Sequence, residues 1–240
     1  MTRISNRKND ELRLVEIIPD FNLFAEGSCL IKCGNTHVIC TASVENKLPS
    51  WFKNEDQGWI TAEYALLPRS TQTRTNRETK GAGGRTHEIQ RLIGRSLRAA
   101  VDLTMIRGYT ITIDCDVIQA DGGTRTASIT GSFVALCIAL NKLFKEQKIS
   151  SNPVKEYVAA ISAGICDKEL LLDLEYKEDS AAQVDANFVL TESGKIIEIQ
   201  GTAEGEPFDK KEFDTLYNLA YKGIKQLILL QKEAINHAKI

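Results

Sequence analysis

The sequence predicts an α+β fold, mixed sheets flanked by helices. Short runs that alternate apolar and polar residues occur in both halves of the chain, the period of a half-buried strand. Two long stretches, from about Thr126 to Phe144 and from about Asp209 to Asn236, read instead as apolar or amphipathic helices. No Pro- or Ser-rich linker divides the 240 residues, so residues 1–240 are expected to form one domain, able to bury roughly 70% or more of its unfolded surface.

The elements follow in order. Cys29, Ile31 and Cys33, then Val38 and Cys40, alternate around Gly34-Asn35, which predicts a hairpin within residues 25–43. An extended run, Gly58–Tyr64, leads into Pro68 and an Arg- and Thr-rich stretch ending at Gly81-Ala82-Gly83-Gly84; without apolar periodicity, that stretch is expected to be a long mobile loop. Thr86 is the expected N-cap of a helix with Ile89, Leu92, Ile93, Leu97, Ala100 and Leu103 on one side and Arg91, Arg95 and Arg98 on another. Ile111, Ile113, Cys115 and Val117 then alternate strictly and run into Asp121-Gly122-Gly123 and the helix from about Thr126. The second half repeats this order, with strands near Tyr157–Ile165, Glu169–Leu174, Gln183–Leu190 and Lys195–Gln200 before the last helix. The repetition suggests an internal structural duplication, although no residue-level repeat accompanies it.

A composition of 42% hydrophobic and 26% charged residues, with 16 Gly and 5 Pro, excludes disordered and fibrous classes. The six cysteines lie mostly in apolar runs and none forms a CxxC pair, so they are expected to be reduced core fillers and not zinc ligands. No segment has ~18 consecutive apolar residues, and the start, Met1–Lys8, lacks the apolar stretch of a leader. A cytoplasmic protein with no membrane segment is expected. Net charge is −2, yet between Arg69 and Arg98 seven Arg and one Lys face only Glu78 and Glu88, a local charge of +6 that leaves −8 for the rest. That window is a candidate polyanion site.

The Gly122-Gly123-Thr124-Arg125-Thr126 turn opens a helix, where backbone N–H groups carry partial positive charge and bind anions; Arg125 adds a fork for phosphate oxygens. Neither GxGxxG nor GxxxxGK[ST] is present, so the turn is neither a dinucleotide fingerprint nor a P-loop. Gly83-Gly84-Arg85-Thr86 is a second turn of the same kind, and two guanidinium groups, Arg85 and Arg125, can converge on one anion if the helices share a sheet face. Asp179 and Asp185 are the acidic candidates for a Mg²⁺ ion at a phosphoryl-transfer centre. Six extended residues span ~20 Å and six helical ones turn ~240°, so the chain must curve for both to reach one ion. Arg69, Arg74 and Arg77 can grip an RNA backbone without reading sequence. His37, His87 and His237 lack partners at catalytic spacing, and no GxSxG elbow argues for acyl transfer.

These residues together are recognisable. Gly58–Tyr64 with Leu67–Thr71, Gly83–Thr86 with Glu88–Arg95, Asp114–Thr126, and Glu178-Asp179-Ser180 to Asp185 closely resemble the ribonuclease PH family, nearly end to end. The resemblance implies the ribosomal protein S5 domain 2-like fold, a ring-shaped homohexamer built from three dimers, and phosphorolytic trimming of transfer RNA precursors from the 3′ end, with reversal adding nucleotides. It implies Arg85, Gly123, Thr124 and Arg125 as the site of the inorganic phosphate co-substrate. Asp179 and Asp185 become catalytic and metal-site carboxylates for Mg²⁺ or Mn²⁺, with Arg85 and Arg125 catalytic beside them, and Arg69, Arg74, Arg77 and Arg91 become RNA-binding residues. The chain departs from the family pattern at Asn6, where Gly is usual, and at Phe24, where His is usual. Two other classes carry the same features less well: a non-catalytic RNA-binding ring subunit would dispense with the carboxylates, and a small-molecule phosphotransferase would need an ATP motif.

Overall fold

The computed structural model describes Arg3 and residues 6–239. The amino-terminal run used to argue against a leader therefore lies partly outside the described residues, as does Ile240. Asn6, at the position where the resemblance expects glycine, has φ 54°. That left-handed conformation admits glycine freely and, among other residues, chiefly Asn and Asp, so Asn and Gly suit the same backbone here.

The chain forms β1 (Val15–Pro19), β2 (Gly27–Cys33), β3 (Thr36–Glu45), β4 (Trp59–Leu66), α1 (Gly84–Ala100), β5 (Thr110–Gln119), α2 (Thr124–Lys145), β6 (Val158–Cys166), β7 (Glu169–Leu172), α3 (Tyr176–Asp179), β8 (Val184–Thr191), β9 (Ile196–Ala203) and α4 (Lys210–His237). The strands build a five-stranded sheet in the order β1-β2-β3-β5-β4 and a four-stranded sheet in the order β7-β6-β8-β9. Within the first, β4 runs parallel to β5, joined through α1; the second is antiparallel throughout. Both halves end on a strand that feeds a long helix, β5 into α2 and β9 into α4. They differ in strand number and pairing.

The hairpin forms as its alternation predicts, with Gly34 at φ 55° in the turn and Cys33 paired to Thr36 across it. β1 was not legible in the sequence. Its five residues, Val-Glu-Ile-Ile-Pro, are too few to show a period; they gain strand geometry from pairing with β2 at the sheet edge, where Pro19 costs no ladder bond. The N-cap of α1 is Gly83 and not Thr86. The Gly83 carbonyl already accepts from the His87 N–H at 3.0 Å, so the helix begins before Thr86, whose hydroxyl instead donates to Glu78 Oε1 at 3.0 Å. Likewise α2 starts at Thr124, because Gly123 takes the cap position in the left-handed region. α4 opens on a reciprocal capping box: Asp209 Oδ1 accepts from the Glu212 N–H and Glu212 Oε2 from the Asp209 N–H.

α2 is the helix on which the two sheets converge, packing on β2 and β3 of the first and on β6 of the second. By length and composition α2 is apolar enough to cross a membrane, and most of it is buried inside the protein. Its apolarity is used against two sheets at once. β6, covered by α2 and by α4, has all nine residues buried, which is why Val-Ala-Ala-Ile-Ser-Ala-Gly-Ile-Cys shows no alternation. The six cysteines are free and buried, as expected of core fillers.

Phe133 lies fully buried in α2, its ring 5.2 Å from that of Tyr157. Phe133→Ala is expected to cost about 3–5 kcal/mol in equilibrium urea unfolding, through lost transfer energy plus an unfilled cavity. A loss below about 1 kcal/mol would show that α2 is not wedged between the sheets.

Candidate active site

The Gly122-Gly123-Thr124-Arg125 turn, Arg85 of the other glycine turn and the two aspartates, far apart in sequence, line one open cleft of about 980 Å³. Its floor is the start of α2. Gly122 and Gly123 are consecutive left-handed residues, φ 73° and 64°, a reversal that side-chain-bearing residues adopt only with strain. Gly122 is also pressed against the second half of the chain: a Cβ there would lie 2.6 Å from the Leu174 carbonyl oxygen and 2.8 Å from the Tyr176 nitrogen. The first-turn N–H groups of α2 have no intrahelical acceptor, and Thr124 and Arg125 among their residues line the cleft.

Arg125 is largely shielded, and its Nη1 donates to Gln200 Oε1 at 2.8 Å and Glu88 Oε1 at 3.1 Å. Gln200 comes from β9, so the second sheet helps aim a side chain carried by α2. Arg85, in the first turn of α1, is exposed and lines the same cleft, and its charge acts on Tyr64, Asp179 and Asp185. Tyr64 shares a 2.9 Å hydrogen bond with the Thr124 hydroxyl, and burial raises its phenol above the ordinary range.

The curve that the Asp179 and Asp185 spacing demanded is made by α3 and the turn after it. The Ser180 N–H reaches back to the Tyr176 oxygen at 2.9 Å, and the Gln183 N–H to the Ile165 oxygen at 2.8 Å. β8 then starts in register, Asp185 opposite Gly164. The two carboxyls lie close enough that each shifts the other's protonation. Burial, then the negative charge of Asp179, pushes Asp185 up to about 6, against the pull of Arg125 and Arg85; Asp179 is also raised, burial outweighing its bond to Asp185 and the same two arginines. Asp185 Oδ1 is buried without a hydrogen-bond partner, an acceptor left for a proton or a cation. Among the described residues no three His, Cys, Asp or Glu side chains group as metal ligands. Two carboxylates suit Mg²⁺, which is ordinarily held by one or two of them together with substrate phosphates.

Other candidates separate. Arg69 lines the cleft, whereas Arg74, Arg77 and Arg91 are exposed outside its lining. The loop has no strand or helix from Leu67 to Gly83. Its first part is nonetheless anchored: Thr75 N–H donates to the Pro68 oxygen and Ala120 N–H to the Ser70 oxygen, each at 2.8 Å. Two arginines of the basic α1 face are committed within the molecule. Arg95 forks onto Glu198 at 2.7 and 2.9 Å, while Arg98 donates to the Ile60 oxygen at 2.7 Å and lies 4.3 Å over the Trp59 ring. Glu178 turns away from the cleft into a buried pair with Arg3 at 2.7 Å. Ser162, Asn187 and Gln200 were missed. Asn187 stands two residues beyond Asp185 on β8, so the period of two held a signal for it; nothing in the sequence marked Ser162, opposite Asn187 on β6, or Gln200.

Comparison with known proteins places this geometry. Residues 11–140 match the model for the 3′ exoribonuclease family, domain 1, and residues 156–223 the model for its domain 2. The chain belongs to the 3′ exoribonuclease, or ribonuclease PH, family. Its fold, mixed sheets flanked by helices, is shared with exosome-core proteins. A chain of the Archaeoglobus fulgidus exosome with RNA bound to the active site is 25% identical, with a TM-score of 0.80 over 95% of this chain and 91% of that one. Rice (Oryza sativa) Rrp46 is 17% identical, with a TM-score of 0.80 over 97% of this chain and 100% of that one. An archaeal exosome core chain is 24% identical, with a TM-score of 0.75 over 96% and 91%; these last two likenesses concern the fold alone.

Two outcomes are expected of a ribonuclease PH family member built this way. Gly122→Ala should lose on the order of 2 kcal/mol or more of stability, from a left-handed backbone and a contact with backbone atoms that cannot move aside; thermal unfolding checks it. Because the folded pKa of Asp185 is raised to about 6, its contribution is present at low pH and is lost as pH rises from ~4 through 6. In metal-free buffer with a chelator, Asp185→Asn should therefore be more stable than the parent at pH 7.5 by on the order of 1 kcal/mol, discounted for partial exposure, with the gap closing toward pH 4. A gap that widens on acidification would contradict the raised pKa.

Proposed function

We propose that this protein is a phosphorolytic 3′-to-5′ exoribonuclease that shortens transfer RNA precursors one nucleotide at a time, using inorganic phosphate and releasing nucleoside diphosphates. The observation that carries the reading is the meeting of Arg85, Arg125 and the α2 start with the Asp179 and Asp185 pair in one open cleft. A hydrolase would not need a second anion site beside the carboxylates. A non-catalytic ring subunit would not need the carboxylates.

Arg125, Arg85 and the amides around Gly123 and Thr124 hold the phosphate in line with the last phosphodiester, and positioning supplies most of the acceleration. A phosphate oxygen attacks that phosphorus, the bond to the 3′ oxygen breaks, and the leaving oxygen takes a proton. With no cation held there, Asp185, whose buried oxygen lacks a partner and whose carboxyl is raised to about 6 by burial and by the charge of Asp179, is the group suited to deliver it. Mg²⁺ or Mn²⁺ held by Asp179 and Asp185 would supply Lewis-acid stabilisation of charge on the phosphoryl oxygens. In reverse, a phosphodiester replaces a phosphoanhydride of similar energy, so nucleotides are added from diphosphates.

Arg69, Arg74, Arg77 and Arg91 act on the RNA backbone, through sequence-independent phosphate contacts. A chain of net charge −2 concentrates that positive field by assembling as a homohexamer, a trimer of dimers. The exposed run of Phe21, Leu23 and Phe24 supports burial against another subunit.

The decisive assay incubates the protein with a short RNA bearing a single-stranded 3′ tail and Mg²⁺, with and without phosphate, and identifies the products by chromatography. Phosphate-dependent nucleoside diphosphates are expected, slowed about 10²-fold or more by Arg125→Ala or Asp185→Asn. Nucleoside monophosphates without phosphate, or RNA binding without release, would overturn the reading. Dimers trapped by interface substitutions should bind transfer RNA more weakly than the ring, checked by native mass spectrometry with binding assays.

A further inference from the structure

We propose that Arg13, Asp173 and Thr36 form a buried brace that presets the turn at Gly122-Gly123, so that these three positioning residues govern affinity for inorganic phosphate without contacting it. The proposal rests on the phosphorolytic reading of the cleft and deepens it.

The turn does not hold its own shape. Two successive left-handed glycines are conformationally permissive and lose much entropy on ordering, yet an anion site needs its donors fixed beforehand. The fixing groups come from outside the turn. Arg13 Nη1 donates to the Asp121 carbonyl oxygen at 2.6 Å. The Thr36 hydroxyl donates to the Gly122 oxygen at 2.6 Å and accepts from the Asp121 N–H at 2.9 Å. In a planar trans peptide the carbonyl and the following N–H point in opposite directions. Drawing the Asp121 and Gly122 carbonyls toward Arg13 and Thr36 therefore turns the Gly122 and Gly123 N–H groups the other way, away from Arg13 and Thr36, and both glycines line the cleft.

Arg13 is in turn held by Asp173. Nη2 meets Oδ1 at 2.6 Å, Nε meets Oδ2 at 3.1 Å, and the Arg13 backbone N–H donates to the same Oδ2 at 2.8 Å. Both residues are almost fully buried, and Asp173 sits at φ 56°. A buried ion pair on a strained backbone is a poor route to stability, since apolar replacements often do as well. What it delivers here is geometry: a planar fork that reaches a carbonyl oxygen while fastened to its carboxylate. The fit is close, because a Cβ on Gly123 would stand 3.1 Å from Arg13 Nη2.

Thr36→Val keeps shape and volume while removing the hydroxyl's bonds to Gly122 and Asp121 and its longer one from Arg13 Nη1 at 3.5 Å; Thr36→Ser restores them, and Arg13→Lys keeps charge but not the fork. In the full-length protein, inorganic phosphate binding is measured by calorimetry without RNA, KM for phosphate and for RNA are measured separately, and thermal midpoints are recorded. Thr36→Val and Arg13→Lys should weaken phosphate binding and raise its KM by about tenfold, the scale of one to two lost hydrogen bonds. The RNA KM should stay within about twofold, and Thr36→Ser should match the parent. Unchanged phosphate affinity in Thr36→Val would overturn the brace while leaving phosphorolysis standing. A joint rise of both KM values with a fall in midpoint that Ser does not reverse would reduce the three residues to general stabilisers and overturn it too. A parent protein that neither binds phosphate nor uses it would remove the phosphorolytic reading itself, and the brace with it.

Discussion

The site depends on one steric constraint: at residue 122 the backbone of the first half passes so close to Leu174, Glu175 and Tyr176 that no side chain fits between them. That contact joins the glycine turn that follows β5 of the five-stranded sheet to the segment that carries Asp179 and leads to Asp185 in the four-stranded one. Move the two apart by the width of a methyl group and the glycine turn no longer abuts the segment that leads to the carboxylates. The deep packing of α2 against both sheets makes the approach rigid, since a close-packed interior resists small displacements.

Electrostatics follow from that placement. Two carboxyls sharing a partly buried corner cannot both ionise at their usual pH, and Arg85 and Arg125 only partly offset the penalty. The result is a cleft lined by the positive charge of Arg85 and Arg125 beside a carboxyl, Asp185, raised to about 6. The surrounding arginines divide by role. Arg95 and Arg98 serve the fold through Glu198 and the Ile60 carbonyl, Arg13 serves the turn through Asp173, and Arg69, Arg85 and Arg125 face the cleft.

Much of this was legible beforehand where the signal is local. The hairpin around Gly34, the alternation in β5 and the long helices follow from periodicity and turn chemistry, which act over a few residues. Errors fall where a distant partner decides. β1 is a strand because β2 pairs with it; Thr86 is not a cap because the Gly83 carbonyl reached His87 first; and β6 hides its period because helices cover both faces.

The same division holds for the site. By itself the sequence determined which residue types were present and in what local setting: glycines followed by arginine at two helix starts, aspartates six apart after an acidic run, and motifs dense enough to resemble one family. Only the tertiary structure decided that Arg85 and Arg125 share a cleft, that Asp179 and Asp185 line it with them while Glu178 is spent on Arg3, and that Gln200 bonds Arg125 and Thr36 the Gly122 carbonyl. The reason is physical. Local geometry depends on φ, ψ and nearest neighbours, whereas convergence, burial and the pKa values they shift depend on through-space distances that no spacing along the chain encodes.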